Sequence, residues 1–417
     1  NTWACGGCSG TDGASKLRNQ IFQPNQTFRV LQVIGGLGVG GAETWLMALL
    51  RYWREHGIGE MDFLLTGGVP ERFDEEALQL GARLHYLPYG RAQLGQFIPG
   101  FRELLRHGGY DAIHDHSDFA AGWRLAMGVG VLPPVRVAHI HNPWLHISAN
   151  YAVSPGRRLA AAGGKALVKA LATNVCGTSA EILRQYGFVP GASSPSVDVV
   201  HCGFSLDRFS IARAEARPRI LAEFGWPDDA RIVLFAGRLD RALELSHPQN
   251  HKNSWLALNI AREAAKRDPS LRLIMAGEGP TRSALIEQVA QWGMADRLAL
   301  PGIRDDVPEM MAAADLLLFP SAQEGLGMVA VEAQASGLPV LASDTVPREA
   351  MVFPELYNTM ALEAPLSNWA EAVLEQVRKP RLDPVVCRQQ FALSDFSISN
   401  SARKLERIYR AQHGVEG

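Results

Sequence analysis

Two carboxylates, Glu324 and Glu332, stand eight residues apart in the stretch Ser321-Ala-Gln-Glu324-Gly325-Leu326-Gly327-Met328-Val-Ala-Val-Glu332. The apolar run Asp315-Leu-Leu-Leu-Phe-Pro320 precedes them and is short enough for a buried parallel strand. A helical pattern follows and stops at Gly337-Leu-Pro339. Glu324, Gly325 and Gly327 therefore fall where a strand's carboxyl end feeds a helix N-terminus. Free backbone N–H groups and the positive helix end face the crevice in which open α/β sheets bind ligands. Glycine there lets a phosphate or a sugar approach the backbone. With a diphosphate between them, one carboxylate reaches a sugar and the other a ribose diol. That layout suits a nucleotide sugar.

Such a site needs elements to hold it. Strand-like runs occur at Arg29–Ile34, Asp62–Leu65, Arg83–Leu87, Ala112–His114, Val135–Ile140, Thr173–Cys176 and Val197–His201. Helical patterns such as Gly41–His56, Phe97–His107 and Ala180–Tyr186 separate most of them. Alternation of strand and helix predicts a parallel, doubly wound sheet. A second series restarts at Arg231–Ala236 and continues at Leu271–Ala276, Leu298–Leu300, Asp315–Phe319 and Pro339–Ala342. Its helices are expected near Lys252–Arg267, Thr281–Trp292 and Val307–Ala314. The expected fold class is thus α/β, with two Rossmann-like domains facing a cleft. The division is a disordered leader over 1–27, a first domain over 28–205 and a charged, irregular linker over 206–228. A second domain over 229–395 and a final helix over 396–417 complete it.

Composition narrows the classes further. A chain of 417 residues is long for one core. Its 47% apolar and 20% charged residues are those of a globular protein, and its formal net charge of −2 argues against a general nucleic-acid binder. No apolar run is long enough to span a bilayer. Five scattered cysteines make no disulfide framework, and a reducing, cytoplasmic setting fits them. Cys5-Gly-Gly-Cys8 has no second Cys or His pair nearby, so a metal site there is disfavoured.

Gly35-Gly-Leu-Gly38-Val-Gly40-Gly41-Ala-Glu43 follows the first strand and opens a helix, where dinucleotide enzymes place a glycine-rich turn. Its spacing is not G-x-G-x-x-G, and no acidic residue clearly ends the second strand to hold an adenosine ribose. Asp111-Ala-Ile-His114-Asp-His116 and His139-Ile-His141 each end a strand. A metal there would need a third ligand, which Asp118 or His141 could supply; His114 belongs to its strand and reads as structural, and the second pair either lines the cleft or is hydrogen-bonded and structural.

Taken together, Glu324-x7-Glu332 after Phe319-Pro320-Ser321 and the loop Gly40-Gly41-Ala-Glu43 resemble the retaining GT-B glycosyltransferases of family 4. The likeness is greatest to their capsular and exopolysaccharide branch, through Gly41-Ala-Glu-Thr-Trp-Leu-Met47, Lys252-Asn253, Gly302-Ile-Arg-Asp-Asp-Val-Pro308 and Glu332-Ala-Gln-Ala-Ser-Gly-Leu-Pro339. It covers nearly everything from Arg29 to about Ala350 and implies a GT-B fold with the final helix packed back across the hinge. It further implies that His116 faces the transferred sugar and that Arg238 and Lys252 grip the donor diphosphate. Fixed cations of this kind stabilise a departing nucleoside diphosphate. Gly40, Gly41, Gly277, the backbone around Ile303, and Glu324, Gly325, Leu326, Gly327, Met328 and Glu332 would complete the donor site. Glu43 and His141 would border the acceptor.

Some features depart from the family pattern. The Arg238–Lys252 gap is long, leaving Arg241 as a substitute for Lys252. Glu324-Gly-Leu-Gly327 carries glycine where the branch has proline, and His201-Cys202-Gly203 stands where the family has Asn-Gly. Asp306, beside Asp305, is expected to cap the helix that begins at Val307. The expected activity is retaining transfer of a hexose from a nucleotide sugar, most simply a UDP-sugar, to a hydroxyl of a sugar or lipid-linked acceptor, with no metal and no other cofactor. A UDP-sugar epimerase or hydrolase of the same fold, and transfer to a small soluble acceptor, are the alternatives. The basic stretch Arg157–Leu171, with Arg158, Lys165 and Lys169 on one helical face, suggests either peripheral contact with an anionic membrane or a Lys/Arg-flanked core helix of the first domain, and its Gly163-Gly164 pair weakens any long helix.

Overall fold

Short apolar runs separated by amphipathic helices give two parallel sheets in the computed structural model, which describes residues 28–241 and 250–411. The leader with Cys5 and Cys8, and residues 242–249 of the long Arg238–Lys252 gap, lie outside the described residues. The first sheet contains β1 (Phe28–Ile34), β2 (Gly59–Leu65), β3 (Leu84–Tyr86), β4 (Ala112–Asp115), β5 (Val135–Ile140), β6 (Asn174–Gly177) and β7 (Ser196–Val199). Its spatial order is β3-β2-β1-β4-β5-β6-β7, all parallel. The second contains β8 (Arg231–Ala236), β9 (Leu271–Ala276), β10 (Leu298–Gly302), β11 (Leu316–Phe319), β12 (Val340–Ser343) and β13 (Tyr357–Met360), in the order β10-β9-β8-β11-β12-β13.

Each sheet is buried on both faces, which is why its strands read as near-continuous apolar runs rather than alternating ones. Along β8, Ile232 and Leu234 enter one apolar cluster while Val233 and Phe235 enter the opposite one. In both sheets the order turns back beside the first strand, between β1 and β4 and between β8 and β11. Loops at such points open a crevice beyond the carboxyl ends of the strands. The fold class is therefore the expected pair of parallel-sheet α/β domains.

The expected irregular linker instead contains the helix Arg213–Phe224. Its Ala216, Ile220 and Leu221 lie in the second domain's core, while Arg213 and Arg217 hold Asp315 beside β11. The last helix, Ile398–Arg410, leaves the second domain and buries Ala402, Leu405, Ile408 and Tyr409 in the first domain's core, against Trp45 and Trp53. The chain thus crosses between domains twice. The crossings lie side by side, with Phe204 N–H donating to Phe396 O and Ile398 N–H to Phe204 O.

The basic stretch forms one continuous helix, Pro155–Leu171. Its glycine pair lets it pack closely on the helix Ala120–Gly128: a Cβ on Gly122 would lie 2.2 Å from Gly164 O. Lys165 departs from the expected lipid-facing row, since its ammonium lies over the Trp144 ring, 4.3 Å from the centroid. Arg158 and Lys169 remain exposed, as do Leu145, Tyr151, Val153 and Leu159. Among the described residues, no helix is long and apolar enough to cross a membrane.

Candidate active site

The loop after β11 is shaped by its glycines. Gly327 has φ of 93°, a left-handed conformation that glycine adopts without strain, and it starts the helix Met328–Ala335. Gly325 has no room for a side chain because a Cβ there would lie 2.2 Å from the carbonyl oxygen of His141 in the other domain. The Glu324-Gly325 loop is therefore pressed against the opposite wall of the cleft. Leu326 turns into the second domain's core, so only its backbone is available to a ligand. Met328 packs against both cores.

Glu324, whose side chain is 9% exposed, accepts a hydrogen bond from Lys252 Nζ at 2.5 Å. Lys252 is fixed by a residue that sequence reasoning missed as a site element. The buried carboxylate of Asp240 accepts from the backbone N–H groups of His251, Lys252 and Ser254. Burial raises the affinity of Asp240 for a proton, and those bonds oppose it. Asn253, in the left-handed region at φ 51°, donates from Nδ2 to Pro320 O and ties this turn to β11. The Lys252 segment thus reaches Glu324 despite the long gap. Arg238 is exposed at the end of β8, and Arg241 is exposed at the edge of the gap.

Other expected donor residues have structural duties as well. A Cβ on Gly277 would lie 1.9 Å from Gly237 O, so loop packing alone requires glycine there. Ile303 is 51% exposed beyond β10, leaving its backbone reachable. Asp306 sits at the N-cap position of Val307–Ala313 but makes no capping bond; its carboxylate pairs with Arg304 instead. Asp305 pairs with Arg72 across the cleft. Burial pushes the Glu332 carboxyl up to about 7, with Arg208 drawing it partly back. In the other wall, the Glu43 carboxylate lies over Gly40, within 2.3 Å of where a Cβ would be, while Gly41 opens to solvent. Burial raises the Glu43 carboxyl, and nearby Glu71 adds to the rise.

His114, His116 and His139 lie together, with nitrogens that fall within 4.8 Å of one another. His139, rather than Asp118 or His141, is the third member; Asp118 spends its carboxylate on the N–H groups of His141 and Asn142 and on Asn142 Nδ2. His116 is buried and both its nitrogens are engaged: Nδ1 with His141 Nε2 at 3.0 Å, Nε2 with Gln32 Oε1 at 2.8 Å. His114 bonds Tyr409 OH through Nδ1 and His139 Nδ1 through Nε2, the latter at 3.1 Å. Burial and mutual repulsion hold His114, His116 and His139 well below the usual histidine range, and burial holds His141 at about 4. The cluster is therefore neutral and hydrogen-bonded at pH 7. His141 is half-buried, and its backbone carbonyl meets the Gly325 loop of the other domain.

A second histidine pair was not legible in the sequence. His146 of the first domain meets His251 of the second, Nδ1 to Nε2 at 2.9 Å, beside Arg238 and Lys252. Burial, followed by neighbouring positive charge, holds both at about 4. The two residues lie 105 positions apart, and neither sits in a motif. Cys176, Cys202 and Cys387 are buried free thiols.

The arrangement is a cleft between two sheets, with paired cation and carboxylate on one wall and polar rings on the other. Its residues match two family models in succession: Glycosyltransferase Family 4 over residues 39–208 and Glycosyl transferases group 1 over residues 216–379. The chain belongs to the family 4 glycosyltransferases. EpsF of Bacillus subtilis, named as a glycosyltransferase, is 29% identical over 386 residues, covering 91% of this chain and 96% of that protein. The D-inositol 3-phosphate glycosyltransferase of Mycolicibacterium smegmatis is also 29% identical, across 71% of this chain and 64% of its own length. Among solved structures, Anabaena HepE with UDP-glucose superposes with a TM-score of 0.71 at 18% identity, covering 92% of this chain and 99% of that one. WaaG, a glycosyltransferase involved in lipopolysaccharide biosynthesis, gives 0.69 at 16% identity, over 91% and 99%. At these identities the structures establish a shared fold, which is GT-B. This family 4 chain is accordingly a glycosyltransferase.

Proposed function

We propose that this glycosyltransferase is a retaining hexosyltransferase that uses a UDP-sugar and delivers the sugar to a hydroxyl of a sugar or lipid-linked acceptor. The observation that carries the reading is the Lys252–Glu324 ion pair in the loop after β11, with Glu332 in the helix Met328–Ala335 that follows. A diphosphate laid against the start of that helix meets its N–H groups, Lys252 and Arg238. Glu332 then accepts from the ribose diol and Glu324 from the sugar. As the bond from the anomeric carbon to phosphate oxygen breaks, its electron pair leaves with UDP, and the cations stabilise that charge. The acceptor oxygen attacks from the same face, and its proton passes to the leaving phosphate. No side-chain nucleophile is needed, and Lys252 holds Glu324 in the role of orienting the sugar. HepE with UDP-glucose supports the donor class.

No step calls for a metal, because side-chain cations neutralise the leaving group. Nearly every nitrogen in the histidine cluster already has a partner. The resemblance to the exopolysaccharide branch supports a role in polysaccharide or glycolipid assembly at the inner face of the cell membrane. Exposed Arg158, Leu159 and Lys169 then face lipid. The deciding experiment incubates the purified chain with a panel of nucleoside diphosphate sugars, with and without EDTA and acceptor glycans. UDP release from a UDP-sugar that EDTA leaves intact, and a product that keeps the donor's anomeric configuration, are expected. An inverted product, or activity that only added metal restores, would overturn those parts of the reading.

A further inference from the structure

The histidines of the first domain form one hydrogen-bonded chain that passes through two residues outside every motif. It runs from His139 to His114, to Tyr409 on the last helix, to Gln32 on β1, to His116 and to His141. Gln32 is the decisive link because a carboxamide has a direction: its oxygen only accepts and its nitrogen only donates. Here Oε1 faces His116 and Nε2 faces Tyr409 OH. Every other proton follows. His116 carries its proton on Nε2 and accepts at Nδ1 from His141 Nε2–H, which leaves His141 Nδ1 as a bare acceptor. On the other arm Tyr409 accepts from Gln32 and donates to His114 Nδ1, and His114 Nε2–H donates to His139 Nδ1. His139 must then carry its proton on Nε2, a buried atom without a well-aligned acceptor, on a ring that lies beside the Val200 backbone and edge-to-face with Trp45. Rotating the Gln32 amide reverses both arms and turns His141 Nδ1 into a donor.

We propose that Gln32 and Tyr409 are positioning residues that fix the tautomers of His116 and His141, so that the cleft wall presents a hydrogen-bond acceptor at His141 Nδ1. Such an acceptor suits an incoming hydroxyl and opposes a carbonyl or phosphate oxygen, which needs a donor. The role in turnover rests on the glycosyl-transfer reading above; the tautomer assignment does not. Tyr409 also makes the first domain's wall depend on the last helix, since its hydroxyl is the partner of both Gln32 and His114.

The test is long-range ¹H–¹⁵N correlation on the full chain labelled with [¹⁵N]histidine, paired with steady-state kinetics. In the unaltered protein at pH 7, His116 and His141 are both expected as neutral Nε2–H tautomers. Tyr409→Phe removes the acceptor for Gln32 Nε2, so mixed tautomers should appear at both histidines. With one buried hydrogen bond lost, kcat should fall about five- to tenfold while donor KM stays within about twofold. Gln32→Glu keeps the shape but sets a carboxylate beside His116. Imidazolium character should appear at His116, and kcat should gain a new dependence on pH. An Nδ1–H tautomer at His141 in the unaltered protein would overturn the proposal. So would variants that melt earlier yet keep the original tautomers, kcat and pH profile. If no nucleotide sugar turns over but the tautomers are as assigned, the glycosyl-transfer reading fails and the positioning stands.

Discussion

Glu332 titrates in a range where its state can be followed. Burial pushes its carboxyl up from 4.5 to about 7. Between those values the folded protein holds a proton that the unfolded chain has lost, so stability from this group is greatest below the window and falls as pH rises through it. A ribose diol donates to the ionised carboxylate, so donor binding expels that proton. Donor KM should therefore fall as pH rises from 6 to about 8 and then level off, and Glu332→Gln should flatten this dependence while raising KM throughout. The diphosphate of a nucleotide sugar is fully ionised across that range and adds no slope of its own. A second expectation concerns Lys252 and Glu324. Each single alanine variant should lose about 1.5–3 kcal/mol of transition-state stabilisation, measured from kcat/KM. The double variant should lose much less than the sum, because the 2.5 Å contact makes the pair one unit. Strict additivity would separate the two roles. The sequence exposed Glu324 because it sits beside Gly325 just after a strand end, Glu332 by its spacing from Glu324, and Lys252 through the family resemblance. Gln32 and Tyr409 were hidden because their contact spans 377 positions and neither residue type announces a role.

At the scale of elements, strand positions were legible because both faces of each sheet are apolar and the loops carry glycine. The helix Arg213–Phe224 was not. It has a weak apolar stripe, three arginine or acidic side chains in its first half and Pro218 within it, and it is stabilised by packing on the second domain's core. The glycine pair Gly163-Gly164 was misleading for the opposite reason, since glycine lowers helix propensity yet permits close approach of two helices. The contact supplies a prediction. A methyl group on Gly122 would meet Gly164 O at 2.2 Å and Val168 N at 2.8 Å, both backbone atoms that cannot rotate away. Gly122→Ala should destabilise the first domain by about 1–3 kcal/mol, seen as an earlier denaturant midpoint. Gly156→Ala, where nothing lies within 4 Å of the new Cβ, should leave that midpoint unchanged or slightly higher.

Across the whole molecule, the cleft is closed by contacts between the domains: Arg72 with Asp305, His146 with His251, Gly325 against His141, and Ala180 N–H donating to Glu349 at 2.8 Å. A donor that binds deep in the cleft requires these to open, and the motion must be carried where the chain crosses between domains. Both crossings meet at Gly203. A Cβ there would lie 2.6 Å from Ser401 Cβ, 2.8 Å from Ser397 O and 3.1 Å from Ile398 Cα. Two of those neighbours are backbone atoms, so Gly203→Ala would push the crossings apart and tilt one domain against the other. Hinge changes alter kcat and KM together, unlike the loss of one contact in the site. Because a displacement near 1 Å at the reacting atoms is costly, kcat/KM should fall about ten- to hundredfold. Free UDP binds the second domain alone in this reading, so its affinity by calorimetry should not change. Small-angle scattering should show a shifted radius of gyration in the presence of donor. A variant with wild-type kinetics would place the pivot elsewhere, and one that also lost UDP affinity would show damage to the second domain rather than to its orientation.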